Sequence, residues 1–347
     1  MRNLFPGYYR PTDEEFSALW QECVFAFDAN VLLNVYRYSQ ATRERFLEIL
    51  DRLKERIWLP HQAALEYQEN RLKVISDQHE PYEDIPKRLN DLLAQIQSDY
   101  PRHSFIPLQQ VFDHIKRAIG QIDTLLKNVK SGHPDLTEND DLREALDNLF
   151  AEKVGAEYTP DELRKIYSDA QERFKKQIPP GYEDNKSKKD GDNKYGDVVV
   201  WYQLKDRAKQ LRKPIVLITD DRKADWWQKH KGKIIGPRPE LIHEMKEAGV
   251  QFYMYQSDRF IEHAQKHLGI QGDQVVEEVR EVREVREHSR LFEEYNRHEA
   301  RLSELSSLSH PNEEELIEET ILKKKKLLLK DQMEAIATKY RTNVTTH

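Results

Sequence analysis

The stretch Val24-Phe-Ala-Phe-Asp-Ala-Asn-Val-Leu-Leu33 opens with four apolar residues suited to a strand and stops at Asp28. From there Val31, Leu32, Leu33 and Val35 fall at helical spacing, so the segment reads as strand, turn and helix with an acid at the strand's end. Pro214-Ile-Val-Leu-Ile-Thr-Asp-Asp221 repeats the arrangement more strongly, because its unbroken apolar run is typical of a strand covered on both faces. Working outward, a helix from about Thr42 to Arg56 places Phe46, Ile49, Leu50 and Leu53 on one face, and Ile57-Trp-Leu-Pro60 reads as a brief strand. A helix from near His61 is expected to turn Ala64, Leu65 and Leu72 inward. Gln251-Phe-Tyr-Met-Tyr255 reads as the last strand, with Ser257-Asp258 capping the next helix. Strands alternating with helices predict an α/β fold with a central parallel sheet, whose sites lie outside the strand C-terminal ends.

The remainder of the chain is helical in texture. Between Glu80 and Gly181, amphipathic patterns are separated by Pro86, Pro101, Pro107, the Gly132-His-Pro134 turn and Pro160, which reads as a helical insertion. A loop is expected from Glu183 to Lys194, after Pro179-Pro-Gly181. From about Gly272 the sequence turns Glu/Arg-rich, and its triplet Val279-Arg-Glu-Val-Arg-Glu-Val285 drifts around a helix instead of forming a heptad seam. Two solvated helices, broken at Pro311, are expected there ahead of the alternative, a dedicated interaction hairpin. The expected organisation is therefore residues 1–85 and 179–270 as two parts of one domain, 86–178 as an insertion that roofs its cleft, and 271–347 as a helical extension.

With 347 residues, five Trp, sixteen Tyr and twelve Phe, the chain has material for a large core, although 34% of it is charged. A net charge of −7 argues against coating nucleic acid by overall charge and leaves local basic patches as the means of binding it. A single cysteine, Cys23, excludes internal disulfides and thiolate clusters and reads as a buried structural thiol in a reducing setting. The first ten residues lack an apolar signal core, and no stretch approaches the ~18 apolar residues of a membrane span, so a soluble cytoplasmic protein is expected. His263 and His267 lack the intervening Glu of a zinc-protease helix, and there is no Walker motif or dinucleotide fingerprint.

Each acid near the strand ends has an ordinary explanation. Asp28 and Asp197 stand where helix N-caps stand, Glu66 could lie on a wet helix face, and Asp220 and Asp221 could close a turn. Their combination is more specific. Phe27-Asp-Ala-Asn-Val-Leu-Leu33, Leu59-Pro-His-Gln-Ala-Ala-Leu-Glu-Tyr67, Tyr195-Gly-Asp-Val-Val-Val-Trp201 and Thr219-Asp-Asp-Arg-Lys-Ala-Asp-Trp-Trp227 occur in this order. Together they resemble the PIN-like domain superfamily, in its larger branch with a helical insertion. Gly7-Tyr-Tyr-Arg-Pro-Thr12 is similar to that branch too, and the resemblance covers about residues 1 to 85 and 178 to 265.

That resemblance implies a three-layer PIN-like fold and a metal-dependent nuclease in which Asp28, Glu66, Asp197 and Asp221 are catalytic metal ligands. Asp184 and Asp225 are implied as auxiliaries, with Asp220 the lesser of the adjacent pair, and Asn30 and Thr219 are implied to order the site by hydrogen bonds. Hard Mg²⁺ or Mn²⁺, as one ion or as a two-ion arrangement, suits such oxygen donors, and converging carboxylates need cations to stay ionised together. Lys186, Lys188, Lys189 and Lys194 before Asp197, and Arg222 and Lys223 after Asp221, are candidate phosphate clamps; Lys229, Lys231 and Lys233 extend the second group. Trp226 and Trp227 read as core residues before base-stacking ones. RNA is the implied substrate ahead of DNA, and a role as a bacterial toxin or phage-defence effector is the expectation by analogy. The alternatives are a structure-specific DNA nuclease and a catalytically silent PIN-like module that binds RNA or a protein. The C-terminal helices are the candidate surface for self-association or a partner.

Overall fold

Val24–Phe27 forms strand β1, and all four residues are buried, as a strand with helices on both faces requires. Before it lies α1 (Asp13–Glu22), started by a reciprocal cap between Thr12 and Glu15. After it come α2 (Ala29–Val35), α3 (Gln40–Arg52), β2 (Ile57–Trp58) and α4 (His61–His79). The helical middle consists of α5 (Pro81–Asp99), α6 (Leu108–Gly132), α7 (Asp141–Phe150), α8 (Pro160–Lys175) and α9 (Tyr182–Ser187). Then follow α10 (Gly196–Leu211), β3 (Ile215–Ile218), the antiparallel hairpin β4 (Trp227–His230) and β5 (Lys233–Pro237), α11 (Pro239–Glu247), β6 (Phe252–Tyr255) and α12 (Ser257–Leu268). Two long helices close the chain, α13 (Asp273–Ser306) and α14 (Glu313–Val344). The computed structural model describes residues 1, 4–187, 192–231, 233–308 and 312–344, in two compact units, Met1–Leu268 and Gly269–His347.

The main sheet has four parallel strands in the order β2-β1-β3-β6. Val24 pairs with Ile215 and Phe27 with Ile218, so the carboxyl ends of β1 and β3 lie level. The chain leaves β1 for β2 on one side and returns as β3 on the other, which makes the crevice above these two strands the place where the flanking loops diverge. Beyond β2, Leu59 N–H donates to Lys153 O at 3.0 Å and Gly155 N–H to Leu59 O at 2.8 Å, so the segment after α7 continues the sheet edge.

Alternation along the strands sends side chains to two cores. Val24, Ala26, Ile215, Leu217, Phe252 and Met254 face Trp201, Trp226 and Trp227. The Trp201 ring meets Phe252 and Trp226 edge-on, at 5.1 and 6.2 Å between centroids. On the opposite face Phe25 packs on Trp20 and Phe260, and Phe27 on Phe150 and Phe260. Cys23 is fully buried beside this core, and burial pushes its thiol up to about 12, an inert structural role. Among the described residues, no helix is long and apolar enough to cross a membrane.

Several sequence expectations are corrected here. The inward face of α4 is Ala63, Tyr67, Arg71, Val74 and Ile75, while Leu65 and Leu72 are exposed and Ala64 is half-buried. The helix is rotated because Arg71 forms a buried ion pair with Asp140, and Tyr36 hydroxyl donates to Asp140 Oδ2 at 2.9 Å and meets the Tyr67 hydroxyl at 2.8 Å. Pro86 does not separate helices but lies inside α5 as its sixth residue, where its missing N–H forgoes one intrahelical bond, to Tyr82 O. Part of the expected Glu183–Lys194 loop is helical, as α9 and a 3-10 turn at Asp192–Tyr195, whereas Lys188, Lys189 and their two successors lie outside the described residues. The β4–β5 hairpin was not foreseen.

In the C-terminal unit, α13 and α14 do not remain separate solvated helices. They pair antiparallel, with Leu291 against Leu329 and Ile336, and Leu302 and Leu305 against Leu322. Arg301 grips Glu318 with two hydrogen bonds, at 3.0 and 2.9 Å. Val279 is buried and Val285 exposed, as a triplet drifting around a helix predicts.

All five Trp lie in the first unit, so their fluorescence reports its unfolding. Asp140→Ala strands a nearly buried Arg71 and is expected to lower that unit's stability by about 3 kcal/mol. Asp140→Leu combined with Arg71→Met should recover most of the loss. Denaturant titrations that leave Asp140→Ala at the parent midpoint would disprove the pairing.

Candidate active site

Register is the first cause of the site. With Phe27 opposite Ile218, the next residues, Asp28 and Thr219, are neighbours at the strand ends. Thr219 Oγ1 donates to Asp28 Oδ2 at 2.7 Å and Asn30 Nδ2 donates to the same oxygen at 2.6 Å. Asn30 Oδ1 accepts the Asp220 N–H at 2.9 Å, and Thr219 Oγ1 accepts the Asp221 N–H at 3.1 Å. The N-cap explanation for Asp28 fails, since its side chain makes no bond to the start of α2. Both donors reach Oδ2, which leaves Oδ1 as the oxygen open to a cation.

Glu66 arrives from α4. Gln62, one turn earlier on the same face, donates Nε2 to Glu66 Oε1 at 2.9 Å, and its own N–H donates to Gln203 Oε1 of α10 at 3.0 Å. The helices meet closely because Gly196 opens α10; a Cβ there would stand 2.7 Å from Glu66 Oε1. Asp197 follows directly. It is the second residue of α10, whose N-cap is Tyr195, so the capping explanation fails here as well.

Three carboxylates converge on one ammonium. Lys223 Nζ lies 2.7 Å from Asp184 Oδ1, 3.0 Å from Asp197 Oδ2 and 2.8 Å from Asp221 Oδ2. The Lys223 N–H donates to Asp221 Oδ1 at 2.8 Å, and Trp227 Nε1 donates to Asp221 O at 2.5 Å, which anchors the turn on the aromatic core. Lys223 thus points into the acids and not outward to a phosphate. Among the described residues, no three His, Cys, Asp or Glu groups already stand around a common point at ligand spacing.

The electrostatics follow from this crowding. Burial first, then the nearness of Glu66, pushes Asp28 up to about 7. Burial likewise raises Asp197 well above the usual carboxylate range, against the pull of Lys223. Burial acts to lower Lys223, but Asp197, Asp221 and Asp184 outweigh it and hold the ammonium protonated.

Among the other residues named from sequence, Asp220 serves the scaffold. Its Oδ1 accepts the Ser257 N–H at 3.0 Å and its Oδ2 accepts from Asn34 Nδ2 at 2.7 Å, so Asp220 caps α12 in place of Ser257-Asp258. Asp225 is fully buried; its Oδ2 accepts the N–H of Gly181 and of Glu183, both at 2.9 Å, and its Oδ1 has no hydrogen-bond partner. Lys194 Nζ lies 5.1 Å over the Tyr195 ring, and Arg222 is half-buried at the Asp221 turn. The Lys186 side chain, like Lys188 and Lys189, lies outside the described residues. Trp226 and Trp227 are core residues. His263 stacks on Phe16 at 6.5 Å and His267 on Trp20 at 4.9 Å. Sequence reasoning missed Gln62, Gly196 and Asn34. The i−4 spacing of Gln62 from Glu66 was the available signal for the first.

An acid-lined crevice above a parallel sheet, with hydroxyl and amide donors ordering its first aspartate, defines an α/β protein with a carboxylate site at its strand ends. The PIN like domain family model matches residues 24–241, and the chain belongs to that family. No curated protein and no solved structure matches the chain.

A folded Asp28 near 7 holds its proton more tightly than the unfolded chain does. Below the ordinary value of 3.8 both states are protonated; between there and 7 the unfolded chain ionises first and stability falls as pH rises. In chelator, Asp28→Asn is therefore expected to melt a few degrees above the parent at pH 8 and level with it at pH 4, by thermal scanning. Gly196→Ala is expected to fold with a near-parental melting point while displacing Glu66, lowering Mn²⁺ affinity about tenfold.

Proposed function

We propose that this chain is a divalent-cation-dependent phosphodiester hydrolase, an endoribonuclease whose site is formed by Asp28, Glu66, Asp197 and Asp221, with Asp184 as an auxiliary. The observation that carries the reading is the meeting, in one buried crevice, of acids from β1, α4, α9, α10 and the β3 turn. Capping accounts for neither Asp28 nor Asp197, and crowding Asp28 against Glu66 and Asp221, and Asp197 against Asp184 and Asp221, is unfavourable without cations.

The donor set fits Mg²⁺ or Mn²⁺ in kind. It is all oxygen, it is rich in carboxylate, and Asp28 Oδ1 is left open. When bound, such an ion supplies Lewis-acid stabilisation of the charge that builds on a phosphodiester during hydrolysis. The protein's share is positioning. Asn30 and Thr219 orient Asp28, Gln62 orients Glu66, and the Trp227 bond fixes the turn that carries Asp221. Lys194, Arg222 and the side chains of Lys186, Lys188 and Lys189 are assigned to phosphates flanking the scissile bond, with Lys229, Lys231 and Lys233 of the β4–β5 hairpin extending the track.

RNA as substrate, action in the cytoplasm and a role as a toxin or phage-defence effector rest on the family resemblance. The exposed stripe Ile317, Ile321 and Leu328 on α14 supports reading the C-terminal hairpin as a surface for self-association or a partner.

Labelled RNA and DNA panels with Mg²⁺ or Mn²⁺ test the reading. Asp28→Asn and Asp197→Asn are expected to lose about 100-fold or more in cleavage rate, roughly 2.7 kcal/mol of transition-state stabilisation. Parent protein should gain melting temperature with Mn²⁺ and Asp28→Asn should not. Equal cleavage by parent and Asp197→Asn removes the assignment. Cutting of DNA alone selects the structure-specific DNA nuclease, and neither cutting nor an ion effect indicates a silent binding module.

A further inference from the structure

We propose that Lys223 is a tethered second cation of the acid cluster, so that the site takes one divalent ion, at Asp28 and Glu66, where a two-ion arrangement would take two. The inference rests on the hydrolase reading above and deepens it. Three observations carry it.

First, the ammonium occupies the point where Asp184, Asp197 and Asp221 converge, at 2.7, 3.0 and 2.8 Å. These are charge-assisted hydrogen-bond distances. A Mg²⁺ ion needs oxygens at about 2.1 Å and could not share the same oxygens with the ammonium. Second, Lys223 is held at both ends by one residue: its N–H donates to Asp221 Oδ1 and its Nζ to Asp221 Oδ2, which engages both oxygens of that carboxylate. The stem is therefore fixed in place by the Asp221 turn, and that turn is bonded to Trp227 in the core. Third, Asp28 and Glu66 stand outside the Lys223 ion pairs: Asp28 is held through Oδ2 by Thr219 and Asn30, which leaves Oδ1 apart from those donors, and Glu66 Oε1 is positioned by Gln62.

The chemical consequence is a division of labour. The divalent ion would answer the charge of Asp28 and Glu66, while Lys223 supplies the fixed positive charge that answers Asp184, Asp197 and Asp221. A lysine is a compact point charge that contributes this without itself requiring coordination geometry.

Mn²⁺ titration calorimetry on the full chain tests the assignment, read as ions bound per chain. The parent and Lys223→Arg are expected to bind about one ion, and Lys223→Met about two, since the variant frees three carboxylates for coordination. In chelator Lys223→Met should melt below the parent, and saturating Mn²⁺ should raise its melting temperature more than the parent's. Two ions on the parent overturn the role of Lys223 but leave the hydrolase reading standing. Unchanged stoichiometry in Lys223→Met, or a variant whose folding Mn²⁺ does not restore, overturns it too. No ion bound by the parent sinks the hydrolase reading itself.

Discussion

The pairing of β1 with β3 is the constraint on which the rest of this molecule depends. A one-residue slip would exchange the two faces of β1 and separate Asp28 from Thr219. In the observed register, Asp28 N–H donates to Ile218 O at 3.0 Å and Thr219 N–H to Tyr255 O at 3.0 Å, so the sheet ladder itself places the first acid and its hydroxyl partner. The register is in turn held by the aromatic packing of Phe25 and Phe27 on one face and of Trp201 with Phe252 on the other. The hydrophobic cores thus specify the position of the polar site to within a hydrogen bond.

The same burial creates an electrostatic conflict that the chain resolves in two ways. Two half-buried acids of the scaffold are answered by cations and hydroxyl or ring donors: Asp140 takes Arg71 and the Tyr36 hydroxyl, and Glu244 takes Arg173, Lys205 and Trp201 Nε1. At the crevice three acids share the ammonium of Lys223, and burial together with the nearness of Glu66 lifts Asp28 to about 7. Such a local violation of polar satisfaction is expected at a functional site and would be eliminated from a purely structural core. Asp220 shows the contrast between neighbours, since it is satisfied by Asn34 and Ser257 while adjacent Asp221 is turned to the cluster.

Much of the fold was legible because the strongest signals are local. The runs Val24–Phe27 and Ile215–Ile218 are apolar without alternation, and Pro160 marks the start of α8 as a proline at the first helical position does. Where the reading failed, a long-range polar contact had overruled a local preference. Leu65 and Leu72 are better core residues than Arg71 on any hydropathy scale, yet α4 turns Arg71 inward because Asp140, which waits there, comes from far along the chain. The β4–β5 hairpin escaped notice because its exposed Lys and His residues mask the strand pattern.

What the sequence by itself determined is which segments become strands and helices, and which acids stand at their ends, because side-chain periodicity and chain stiffness act over a few residues. Only the tertiary structure decided that Asp184 and Lys223 join Asp197 and Asp221, that Asp220 caps a helix, and that Gly196 admits Glu66 to the crevice. Those outcomes depend on distances between groups far apart in the chain, and charge and packing select among them only once the sheet register has brought the strand ends together.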